Sequence, residues 1–131
     1  MARRPLSTLR QRRLSRLIEL ARDDALKGLK RFSRLAEHAA YVSQYTADPE
    51  YWRVQANTRK SVYLWLSQIV QTQGVDQAYL IAQERYADLP LQCSDPKTTG
   101  QRDALERFFA ILGVNPPELE GETPANAQIE G

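Results

Sequence analysis

Residues 9–32, LRQRRLSRLIELARDDALKGLKRF, carry eight Lys or Arg against three acids. Their apolar positions recur every three or four residues, the period of a helix with one buried side. Extended along the chain, Leu14, Ile18, Ala21, Ala25, Gly28, Phe32, Leu35, Ala39 and Val42 step by alternate fours and threes. That seven-residue repeat predicts the seam of a long helix packed lengthwise on others. Its small residues favour close packing within one chain, and pairing of two seams in a homodimer is a second use. Gly28 either permits a close crossing or splits the segment. Ser7 reads as the N-cap, which gives a helix over 7–45 preceded by a basic arm over 1–6.

Three more helices follow from local signals. Asp48 reads as an N-cap, with Pro49 at the first helical position and Glu50 at the positive end of the dipole. This helix should run over 49–73 to Gly74 as its left-handed stop, burying Tyr51, Val62, Trp65, Leu66 and Ile69. Its polar stretch 55–61 is a candidate kink. A third helix, capped by Asp76, is expected over 77–88 with Ala78, Leu80, Ile81 and Ala82 inward and Tyr86 beside them, ended by Leu89-Pro90. After a loop, a fourth spans 96–112 with Leu105, Phe108, Phe109 and Leu112 buried, and Gly113 ends it. Residues 114–131 contain three prolines, four acids and few apolar residues, which predicts a disordered acidic tail. The fold class is therefore all-α: a bundle of about four helices over 1–113, with a long basic first helix.

The net charge of +2 hides a segregation. Residues 1–34 hold eleven Lys or Arg and three acids, whereas 35–131 hold seven and thirteen. On a helix, Arg12, Arg13, Arg16, Lys27, Lys30, Arg31 and Arg34 fall on the side opposite the seam. Arg13 and Arg31 are about 27 Å apart along the axis at 1.5 Å per residue. Asp23 is placed to pair with Lys27 at i+4, leaving two positive clusters. Arg3, Arg4 and Arg10 extend the first. Fourteen of the eighteen cations are Arg, whose planar fork suits phosphates and carboxylates alike.

Catalytic chemistry has little to build on. One Cys and one His exclude a disulfide within the chain and a Cys-x-x-Cys zinc site. His38 reads as structural or solvent-facing, and Cys93 lacks the electropositive surroundings of a reactive thiolate. No glycine-rich phosphate loop occurs, and neither a cofactor nor a metal is expected. The longest apolar run, 62–66, is far short of a membrane span. Residues 1–18, with six Arg and no acid, have a transit-peptide composition, but the helical pattern continues unbroken past Arg22. A cytoplasmic location is the expectation.

The stretch IVQTQGVDQAYLIAQERY, residues 69–86, resembles the turn and second helix of a helix-turn-helix, with Gly74 at the turn, Val75 after it and Leu80 inward. Val70, Gln73 and Gln83 depart from that pattern, and Asp76, Glu84 and Asp88 oppose Arg85 alone. A plain αα-hairpin is the expected reading. Tyr41, Tyr45, Tyr51, Trp52, Tyr63 and Trp65 gather around the first interhelical turn, where beside Arg53, Arg59 and Lys60 they could stack on unpaired bases. Aromatics at a helix corner mostly anchor a core, which is the expected reading, and Trp52 is the surface candidate. The functional expectation is a non-enzymatic, regulatory or nucleic-acid-binding accessory protein, with DNA as the favoured partner. Arg3, Arg4, Arg10, Arg12, Arg13, Arg16, Lys27, Lys30, Arg31 and Arg34 would contact its phosphates. The alternative is an adaptor or inhibitor docking the same face on an acidic protein surface.

Overall fold

Four helices form a small all-α bundle in the computed structural model, which describes residues 3–114, with side chains from residue 21 onward. They are α1 (Arg3–Val42), α2 (Pro49–Gln73), α3 (Val75–Asp88) and α4 (Pro96–Leu112), and a 3₁₀ turn (Ser43–Tyr45) follows α1. No strand occurs among the described residues. The tail expected over 114–131 lies, from residue 115 on, outside them.

The helix ends follow from local chemistry. Asp48 accepts the Tyr51 N–H at 3.3 Å with Pro49 behind it, and Asp95 accepts the Thr98 N–H at 3.1 Å with Pro96 behind it. Each satisfies an N–H that the first helical turn leaves without a backbone partner. Gly113 takes the left-handed conformation (φ 74°), and the Val114 N–H returns 2.9 Å to the Phe109 carbonyl. Gly74 (φ 98°) is the sole residue between α2 and α3. A side chain there would meet nothing within 4 Å, so the backbone angle is what demands glycine. This one-residue corner starts α3 at Val75 instead of 77, with Asp76 inside its first turn. Likewise α1 begins at Arg3, within the expected arm, so Ser7 lies inside the helix and is not its cap.

α2 is the central helix and touches the other three. Glu37 meets Lys60 and Phe32 meets Tyr63, so α1 and α2 run antiparallel. Gly100 meets Gln55 and Arg59 meets Asp103, so α2 and α4 run parallel. Two glycines set the spacing. A Cβ on Gly28 would lie 3.0 Å from the Ile111 side chain, and one on Gly100 would lie 2.7 Å from the Gln55 carbonyl oxygen. Gly28 thus permits a close crossing of α1 with α4, and α1 passes through it unbroken. The core joins Ala25, Leu29 and Ala36 of α1 to Tyr63, Leu66 and Val70 of α2, to Ala78 and Ala82 of α3, and to Leu105, Phe108 and Phe109 of α4.

The seam of α1 departs from the expected one from Leu29 onward. Leu29, Ser33, Ala36 and Ser43 are buried, while Leu35 is 51% and Val42 37% exposed. Small side chains at the contact let α2 approach closely, and the larger ones are turned to the edge. The expected kink at 55–61 is absent: α2 is continuous, Gln55 and Ala56 are buried, and the Gln55 backbone lies close to α4, where Gly100 leaves room. Tyr63 takes the central place expected for Val62 and Trp65, which are half-buried with Tyr51. Leu112 is half-buried too. Leu80 is 52% exposed, so α3 lacks the inward residue of a helix-turn-helix.

Candidate functional site

The burial of Ala25, Leu29, Ser33 and Ala36 fixes how α1 is rolled against the bundle. Positions 27, 30, 31 and 34 then share the opposite side, because residues three and four apart are neighbours on a helix surface. Lys27, Lys30, Arg31 and Arg34 are all exposed. Among the described residues the ion pairs are Glu50–Arg53, Arg59–Asp103, Glu37–Lys60 and Asp103–Arg107. None uses a cation of this group, and the expected Asp23–Lys27 pair does not form. Asp23 and Asp24 adjoin the group on its N-terminal side, exposed and without an ion pair among the described residues, and Glu37 adjoins it on the C-terminal side. Its carboxylate accepts from Lys60 Nζ at 2.6 Å. That hydrogen bond, with the Lys60 charge and a weaker pull from Arg34, holds its carboxyl below the usual carboxylate range. Glu37 is thus already matched from α2, and no ion pair among the described residues uses the α1 cations.

Arg3, Arg4, Arg10, Arg12, Arg13 and Arg16 lie on the backbone of α1 nearer its N-terminus, and their side chains are outside the described residues. Beside the described cations, a groove of about 370 Å³ between α1 and α2 is lined by Leu26, Lys30, Ser33, Arg34, Leu64, Ser67 and Gln71. Toward its C-terminus the same side of α1 carries His38, exposed. Tyr41 and Tyr45 follow, 63% and 74% exposed. Their rings meet edge to face with centroids 6.5 Å apart. The expectation that these two tyrosines anchor the core is therefore overturned. Lys27, Arg31, Arg34, His38, Tyr41 and Tyr45 step 4-3-4-3-4, a signal of spacing that could have joined the tyrosines to the basic face.

The other polar groups serve the fold. Arg59 donates to Gln55 at 2.9 Å and faces Asp103 at 3.8 Å. Arg107 also reaches Asp103 and lies over the Phe32 ring, 5.3 Å from its centroid. Near this cluster the buried Tyr63 hydroxyl has no hydrogen-bond partner among the described residues. Burial, reinforced by the Asp103 charge and opposed by Arg59 and Arg107, pushes its phenol up to about 12. Arg85 lies over Trp65 at 5.0 Å, in a notch of about 290 Å³ with Thr58, Ser61, Val62 and Gln101. The Cys93 thiol donates to Asp95, a negative neighbour where a reactive thiolate needs a positive one. With further donation from Thr98, this holds Asp95 down to about 2. Among the described residues no group of three or more His, Cys, Asp or Glu could hold a metal ion, and no helix is long and apolar enough to cross a membrane.

Comparison with protein-family models, curated proteins and solved structures finds no match for this chain.

Proposed function

We propose that this is a non-enzymatic nucleic-acid-binding accessory protein whose α1 face contacts phosphates. The observation that carries the reading is the group Lys27, Lys30, Arg31 and Arg34, exposed and without an ion pair among the described residues, beside Glu37, which Lys60 already holds. Cations in this state release counterions from a nucleic acid when they reach its phosphates, which makes affinity fall steeply with salt. The six arginines of 3–16 add to the same charge.

Anisotropy titration of labelled oligonucleotides from low to physiological salt tests the reading. The plot of log affinity against log salt should fall steeply. Replacing Lys27, Lys30, Arg31 and Arg34 together by Gln should flatten its slope by about 3, at 0.7 to 0.9 per lost phosphate contact. Affinity that ignores salt, or that survives the substitution unchanged, defeats the reading. The alternative partner is an acidic protein surface, favoured by the groove that combines Leu26 and Leu64 with Lys30 and Arg34. A complex that survives nuclease treatment during purification would select it.

A further inference from the structure

We infer that the strand bound by α1 is unpaired, and that Tyr41 and Tyr45 stack on its bases; this rests on the phosphate-binding reading of the same helix. Single exposed aromatics are ordinary on a protein surface. Here two adjacent tyrosines, both mostly exposed, continue the spacing of three cations and a histidine. From Lys27 to Tyr41 is fourteen residues, about 21 Å of helix, a length that a short oligonucleotide covers. A duplex presents its phosphates outward and keeps its base faces stacked inside, so it could use the cations but not the rings. A single strand uses both: its backbone tracks the positive groups while its bases lie on aromatic faces. In an edge-to-face pair, one ring covers at most one face of the other, so the 72° arrangement of Tyr41 and Tyr45 leaves faces open to bases. His38, exposed between Arg34 and Tyr41 in this series, adds a third flat ring where the cations give way to aromatics.

The experiment compares the full chain on a labelled short oligothymidine and on the matching duplex at low salt. The single strand should bind at least about tenfold more tightly. Replacing Tyr41 and Tyr45 together by Ala should weaken single-strand binding about tenfold or more, and duplex binding less than about twofold. The Tyr→Phe pair should retain binding, since the ring and not the hydroxyl does the stacking. Neither tyrosine is in the core, and an unchanged far-UV circular dichroism spectrum of each variant checks the fold. A double Ala variant that binds the single strand within twofold of the parent overturns the inference. So does equal affinity for duplex and single strand. In both cases salt-dependent binding would leave the phosphate-contact reading standing, whereas binding to neither oligonucleotide would remove both. A Tyr→Ala pair that changes self-association and not oligonucleotide affinity also overturns it, and assigns the rings to an interface between copies.

Discussion

Two sets of cations coexist in this molecule and differ in what surrounds them. Seven Lys and Arg lie beyond residue 34. Six of these are engaged: Arg53 with Glu50, Arg59 with Gln55 and Asp103, Lys60 with Glu37, Arg85 over Trp65, Arg102 with the Pro90 carbonyl, and Arg107 with Asp103 and Phe32. On α1, Lys27, Lys30 and Arg31 have no such partner among the described residues, and Arg34 feels only the charge of a Glu37 held by Lys60. A cation matched inside its own fold contributes shape and has little field left to offer. An unmatched one contributes little to the fold and keeps its field for a ligand. Position in the sequence and partnership therefore divide the charge at nearly the same place, with Lys97 the exception beyond residue 34.

The strongest way to break that contrast is to remove a partner from the engaged set. Asp103 is shared by two guanidiniums, and the Arg59 side chain is only 18% exposed. Asp103→Ala leaves that half-desolvated cation facing another with no counter-charge between them. The expected loss of stability is about 2 kcal/mol, the scale for orphaning one member of a partly buried charged pair. Urea unfolding should show the midpoint falling with an unchanged slope. A loss below about 0.5 kcal/mol, the range of an ordinary surface substitution, would place Asp103 among exposed pairs of little worth and dissolve the distinction.

What could be read in advance follows the same division between local and shared chemistry. The ends of α2 and the stop of α4 were legible because Asp48-Pro49, Gly74 and Gly113 act on their own backbone. The seam of α1 was not. Ser33 and Ser43 are buried because α2 comes close, a fact that belongs to two helices at once, while apolar spacing pointed to Leu35 and Val42. The burial of Gln55 similarly depends on a glycine 45 positions away at Gly100. At the candidate site, the exposure of Lys27, Lys30, Arg31 and Arg34 was readable because it needs no partner. The pairing of Asp23 with Lys27 failed because an i,i+4 pair gains only about 0.2–0.5 kcal/mol and hydration competes with it. Tyr41 and Tyr45 were misjudged because aromatics at a helix corner usually turn inward.

A smaller effect sharpens the contrast by supplying the α1 cations with a competitor from their own chain. Residues 115–131 carry four Glu and no Lys or Arg. They follow three residues after Ile111, whose side chain lies against Gly28, next to Lys27 and two turns' reach from Arg34. Counter-charge tethered this near would raise the local concentration of carboxylates around the basic face and compete with phosphates. Truncation after Val114 should therefore tighten oligonucleotide binding about three- to fivefold at low salt, with the gain disappearing as salt screens both interactions. Affinity within measurement error of the full chain would show that the two regions do not meet.

The smallest effect has an informative sign. Lys27 and Lys30, Lys27 and Arg31, Lys30 and Arg34, and Arg31 and Arg34 are like-charge neighbours at i,i+3 or i,i+4, and each such pair is destabilising by about 0.2–0.5 kcal/mol. Gln has nearly the helix propensity of Lys and Arg, so replacing all four by Gln relieves repulsion with little change in backbone preference. What is lost is the attraction of Arg34 for Glu37, which Lys60 already holds, and that of Lys27 for the exposed Asp23 and Asp24. Stability should rise by about 0.5 kcal/mol at low salt and return to the parent value at high salt, while oligonucleotide affinity falls. Urea unfolding at the two ionic strengths measures it. Opposite movements of stability and binding are what a face maintained for a ligand at the expense of the fold should show. If the four substitutions instead destabilise by more than about 0.5 kcal/mol, these side chains are structural like the rest, and the two sets of cations are one.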